Sequence, residues 1–221
     1  MSSSIFKKKV KKEFLEQNKV VLIVTEGTDT EILYFKELRK ALRIPTLLVE
    51  VIPAKHSDPL HVVNYAISLY EKGYSDKYGK RYNSRDFDEI YVVVDTDCHE
   101  NLSEALSAID TFNNKSRKTK IHQIISCPCF ELWFLLHFVN ICPKEMSQND
   151  VHFQLMKILP KYSKSYNVYP LLKDKTEIAI NRAEQVKNNK QFENDCYTDV
   201  YKLILVLEKY SETYEKNRTN E

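Results

Sequence analysis

Apolar and polar positions along this chain follow two alternating periods, and their order predicts the architecture. Val20 to Val24 is an unbroken apolar run, as in a strand buried on both faces. From Thr30 to Leu42 the spacing becomes helical, with Ile32, Phe35, Leu38 and Leu42 on one side. The alternation then repeats. A strand over Leu47 to Ile52 precedes a helix over Leu60 to Tyr70, on which Val63, Ala66, Ile67 and Tyr70 align. After a polar loop from Gly73 to Asp86 come a strand at Ile90 to Asp95 and a helix at Leu102 to Phe112. A strand at Ile121 to Ser126 is followed by a helix opening at Pro128, where proline suits a first turn.

Doubly buried strands alternating with helices predict an α/β fold: a parallel four-stranded sheet flanked by helices, with right-handed crossovers that leave few topologies. Beyond it the pattern is helical over Val151–Leu159, Glu177–Lys187 and Tyr197–Tyr214, around the Tyr- and Lys-bearing loop KYSKSYNVYP. Three stretches result: a basic N-terminal segment 1–18, a sheet domain 19–142, and a helical extension 143–221 packed on the same domain. A chain of 221 residues has room for one such core and little room for a second.

Charge changes this picture little. With 33 basic and 31 acidic residues the net charge is +2, so composition does not announce a nucleic-acid binder. The run Lys7, Lys8, Lys9, Lys11, Lys12 reads first as a solvated tail or helix face. Five cysteines, odd in number and without C-x-x-C spacing, suit free thiols in a reducing cytosol. The longest apolar stretch, FELWFLLHFVNIC, carries Glu131 and His137 and is too short to span a bilayer, so a cytoplasmic chain with no membrane contact is expected.

Candidate chemistry lies where the strands end. In a parallel sheet all strands finish at one edge, where ligands bind. Glu26 follows the first strand, Asp95 closes the third, and Asp97 points the same way as Asp95 if the segment stays extended. Carboxylates crowded together repel unless a cation neutralises them, and hard oxygen ligands suit Mg²⁺ or Mn²⁺. Gly27, one of only three glycines, would let the backbone turn and leave room for a phosphate. A D-x-D motif also arises where loop acids cap the next helix, and the E-G pair after strand one is what makes the metal reading specific. A P-loop and a G-x-S-x-G elbow are absent. The D-x-D of haloacid-dehalogenase-type phosphotransferases follows a first strand and runs into a threonine, where this chain has His99 on its third strand.

Three stretches carry a resemblance. They are Ile23-Val24-Thr25-Glu26-Gly27-Thr28-Asp29-Thr30-Glu31 with Tyr34-Phe35, Val93-Val94-Asp95-Thr96-Asp97-Cys98-His99, and Ser126-Cys127-Pro128-Cys129-Phe130-Glu131-Leu132-Trp133 with Leu135-Leu136-His137-Phe138. Their combination resembles the Toprim domain of topoisomerases, DnaG-type primases and OLD-family nucleases. It is closer in wording to the RloB/AbiL-type family of bacterial restriction and abortive-infection loci. The resemblance departs at Thr25, Thr96 and Cys98, where the family often has Cys, Arg and Asp, and Thr30 stands where Toprim domains carry a second acid, with Glu31 beside it.

That resemblance implies a Toprim-like, divalent-metal-dependent nuclease acting on RNA such as tRNA, or on DNA, as effector in antiphage defence. Its metal ligands would be Glu26, Asp95 and Asp97, with Glu131 either a further ligand or simply an acid at a helix start. His99 is a candidate for substrate contact or proton transfer, and His137 reads as a core histidine. Lys55, Lys161 and Lys164 are equally eligible as an assisting lysine. An ABC-type ATPase partner is implied, and self-association stays open. The alternative is a non-catalytic metal- or nucleotide-binding subunit that assembles with that ATPase, a role the 14 tyrosines would also suit. Transfer of a phosphoryl group to or from a nucleotide is the third reading.

Overall fold

A computed structural model describes residues 19–45, 49–55, 58–75, 81–83, 86–96, 101–116, 118–141, 144–193 and 195–219. The basic run at 7–12, Asp97 and His99 lie outside the described residues. In chain order the elements are β1 (Val21–Thr25), α1 (Thr30–Ala41), β2 (Val49–Pro53), α2 (Pro59–Lys72), β3 (Tyr74–Ser75), β4 (Arg81–Tyr82), β5 (Glu89–Asp95), α3 (Leu102–Lys115) and β6 (Lys120–Cys127). There follow α4 (Glu131–Leu136), α5 (Gln148–Ile158), α6 (Tyr169–Leu172), a 3-10 turn leading into α7 (Thr176–Asn188), β7 (Tyr197–Thr198) and α8 (Val200–Thr219).

The main sheet has the order β2-β1-β5-β6-β7. Its first four strands are parallel, and β7 runs antiparallel to β6. Five strands therefore replace the expected four. Tyr197 and Thr198, expected to open the last helix, instead satisfy the free edge of β6. Thr198 Oγ1 lies 2.9 Å from Ser126 Oγ, and the Asp199 N–H donates to the Ile125 carbonyl at 2.8 Å. Two further boundaries differ from the sequence reading. The polar loop 73–86 contains the β3–β4 hairpin. The helix expected at Pro128 starts at Glu131, after a tight turn in which Leu132 N–H bonds Cys129 O and Trp133 N–H bonds Phe130 O.

Strand alternation sorts the core into two layers. Val21, Ile23, Tyr91, Val93 and Ile124 face one side, covered by α1 and by the helices after residue 143. Leu22, Val24, Ile90, Val92 and Ile125 face the other, covered by α2 and α3. The late helices thus share a core with the sheet. On that side Tyr34 of α1 packs its ring 5.8 Å from Phe130, 5.6 Å from Phe134 and 5.6 Å from Tyr169, pinning α1, α4 and α6 together.

The crossovers fix where a site belongs. From β1 the chain steps outward to β2, then returns across to β5 and continues to β6. The direction reverses between β1 and β5, and ligands bind at the carboxyl ends beside such a reversal. Among the described residues no helix is long and apolar enough to cross a membrane.

Leu22 is fully buried between β1 and the α2–α3 layer, so Leu22→Ala is expected to destabilise the protein by about 2–5 kcal/mol, read from urea unfolding. A loss under about 1 kcal/mol would contradict the packing of that layer.

Candidate functional site

The reversal point holds two acids. The Glu26 N–H donates to Val93 O at 3.0 Å, which carries the β1 ladder one residue past the strand. Its side chain then crosses to the neighbouring strand, where Glu26 Oε2 accepts the Asp95 N–H at 3.1 Å. Asp95 shares the parity of Tyr91 and Val93 and so faces the α1–α4 layer. Its Oδ1 is sealed from solvent and has no hydrogen-bond partner. Burial, then the charges of Glu31, Glu26 and Glu131, push the Asp95 carboxyl well above the usual range, against a hydrogen bond from the Phe130 backbone.

Glu31 belongs to the same cluster, although the motifs assign it no role. It lies in the first turn of α1, almost wholly buried, with Oε1 accepting the Gly27 N–H at 3.0 Å. This contact adds a second reason for a glycine at position 27. Positive φ is confined among described glycines to Gly73, so Gly27 is not required by backbone conformation. A Cβ on Gly27 would overlap the Glu31 carboxylate, and this close approach is what the glycine permits. Burial pushes Glu31 up to about 7, with the charges of Glu131 and Glu26 adding to the rise.

Glu131 begins α4 and is buried, yet its carboxyl is shifted the other way. Burial acts to raise it, and the His152 imidazole and the Tyr162 hydroxyl outweigh that and hold it below the usual range. Tyr162 OH donates to Oε1 at 2.8 Å. His152 Nε2 lies 3.4 Å from the same oxygen, at ion-pair distance but without hydrogen-bond geometry. Cys129, fully buried, completes a set in which its Sγ, a Glu131 oxygen and a His152 nitrogen all lie within 4.8 Å of one another. Among described residues Cys129 and Cys196 are thiols outside any disulfide.

The structure therefore brings Glu26, Asp95 and Glu131 together and adds Glu31, His152 and Tyr162. Nothing in the sequence marked His152, whereas Tyr162 stood in the conspicuous KYSKSYNVYP loop. Thr30 Oγ1 donates to Lys164 O at 3.3 Å, which ties that loop to the start of α1. The Lys161 and Lys164 side chains are exposed, as is Lys55, whose Nζ sits 5.8 Å from the Tyr65 ring centroid. His137 is a core residue. Its Nδ1 lies 2.9 Å from Trp133 O, and burial takes its pKa down to about 4, so it is neutral at physiological pH. Carboxyl groups sharing a shielded site, one oxygen unpartnered, form an arrangement that a divalent cation would satisfy.

Two outcomes check this geometry. Gly27→Ala is expected to push the Glu31 carboxylate off the Gly27 N–H at a cost of about 1 kcal/mol, and a Glu31→Ala background should relieve most of that cost; equal costs in both backgrounds would disprove the contact. Folded Glu31 keeps a proton that the unfolded chain, at 4.5, gives up. Glu31 therefore contributes stability to the metal-free protein that is lost as pH rises from about 4.5 through about 7, by roughly 3 kcal/mol, against an opposite slope from buried His137, which the unfolded chain protonates between about 4 and 6.5. In urea titrations at pH 5 and pH 8, wild type should lose more stability between the two pH values than Glu31→Gln does, the difference being the Glu31 contribution.

The chain belongs to the RloB-like protein family, whose model matches residues 21–207, from β1 into α8. Comparison with curated proteins and with solved structures finds no match.

Proposed function

From this family membership and the acid cluster, we propose that the chain is a divalent-metal-dependent nuclease of Toprim-like type, cleaving phosphodiester bonds in RNA such as tRNA, or in DNA. The observation that carries this reading is the unpartnered Asp95 Oδ1, buried among like charges at the switch point of the sheet. Glu26 and Asp95 would hold Mg²⁺ or Mn²⁺ together with Asp97, and Glu131 borders the same space. Once bound there, the ion would neutralise the carboxylates, orient the scissile phosphate and activate a water.

The remaining roles fall to side chains around that set. Glu31, buried beside the set and accepting the Gly27 N–H, would border the ion and help position its neighbours. Lys55, Lys161 and Lys164 are exposed cations available to a phosphate backbone, and His99, beside the D-x-D, stays a candidate for substrate contact. An effector role in antiphage defence, in the cytoplasm and alongside a separate ATPase, completes the proposal. Exposed Phe153 and Met156 on α5 favour a second reading, a metal-binding subunit that assembles with that ATPase.

Purified protein incubated with a tRNA pool and with plasmid DNA, each with Mn²⁺, Mg²⁺ or EDTA, separates the two. Metal-dependent cleavage lost in Asp95→Ala and Glu26→Gln is the expected result, and the substrate cut names the class. Silence of the wild type both alone and with its ATPase would replace the nuclease by the assembly subunit.

A further inference from the structure

We propose that Cys129 Sγ, the Glu131 carboxylate and His152 Nε2 form a separate seat for a zinc-class divalent ion, with a fourth coordination position left open. The donors come from a C-x-E turn at the start of α4 and from α5 packed across it, a layout that no C-x-x-C search detects. Their mutual spacing of 4.8 Å or less is near what one tetrahedral ion imposes. Zinc–ligand bonds of about 2.0–2.3 Å set neighbouring donors roughly 3.3–3.6 Å apart. The Glu131 Oε1 to His152 Nε2 distance, 3.4 Å, is already that edge of the tetrahedron.

A second observation points the same way. His152 Nε2 is shielded from solvent, aimed at a carboxylate oxygen, and lacks hydrogen-bond geometry to it. A cation between nitrogen and oxygen satisfies both atoms. Tyr162 OH donates to the same Glu131 oxygen and so fixes the carboxylate's orientation, as outer hydrogen bonds do for ligands of bound metals. One sulfur, one nitrogen and one oxygen donor suit a borderline metal such as zinc or cobalt rather than magnesium, which takes oxygen. Binding converts the Cys129 thiol to a thiolate and releases its proton to solvent, with no change of oxidation state. Three protein ligands and one open position match zinc sites that hold a water or substrate.

This seat goes beyond the nuclease reading and is tested without it. The full-length chain, stripped with chelator and reloaded with Zn²⁺ or Co²⁺, is expected to retain by elemental analysis one ion per chain more than Cys129→Ser retains. Co²⁺ loading should produce a thiolate-to-cobalt charge-transfer band. Cys129→Ser should abolish the band, and His152→Ala, a partly exposed position, should weaken zinc binding by roughly 100-fold or more. Asp95→Ala and Glu26→Gln should leave the band intact even where they abolish cleavage. Absence of retained metal and of the band in the wild type overturns the proposal. So does a band that survives Cys129→Ser, or zinc affinity unchanged in His152→Ala.

Discussion

Crowding of like charge is the constraint around which this molecule is arranged. Glu26, Glu31, Asp95 and Glu131 come from three separate stretches of chain and meet at one sheet edge, three of them largely shielded from water. An unpaired buried carboxylate is costly, and the four meet that cost in three ways. Glu31 and Asp95 tend to keep their protons, Glu131 draws on His152 and Tyr162, and Glu26 accepts a backbone N–H. Every one of these solutions depends on neighbours: Glu31 on the missing Cβ of Gly27, Glu131 on α5 and the loop carrying Tyr162.

The two-layer core makes those neighbours dependable. Strand parity directs Asp95 toward the layer that holds α1 and α4, and the aromatic contacts of Tyr34 set both helices against the strand ends. The opposite layer of α2 and α3 carries no part of the acid cluster. Its contribution is to close the second face of the sheet, so that β1 and β5 lie side by side with their ends in register.

Much of this was legible in sequence because period and strand order are local signals. Unbroken apolar runs disclosed the four parallel strands, and Glu26 and Asp95 had to meet once those strands were adjacent. The short β7 escaped because two residues preceding a strongly periodic helix look like its first turn; only the unpaired edge of β6 makes them extend. Gly27 was recognised as a place needing room, but the group filling that room, Glu31, could be found only from the path of the helix. His152 was out of reach altogether, since its relation to Glu131 is created by how α5 packs on α4 and by no spacing along the chain.

The partners of Glu131 also have a temporal meaning. Synthesis proceeds from the N-terminus, so the sheet strands β1 to β6 and Glu131 leave the ribosome ahead of His152 and Tyr162. Until those two arrive, Glu131 lacks both the imidazole and the hydroxyl that stabilise its ionised form, and the free edge of β6 still awaits Tyr197 and Thr198. Completion of the surroundings of Glu131 therefore waits on the last third of the chain, and a nascent sheet carries this acid without the two side chains that hold it ionised.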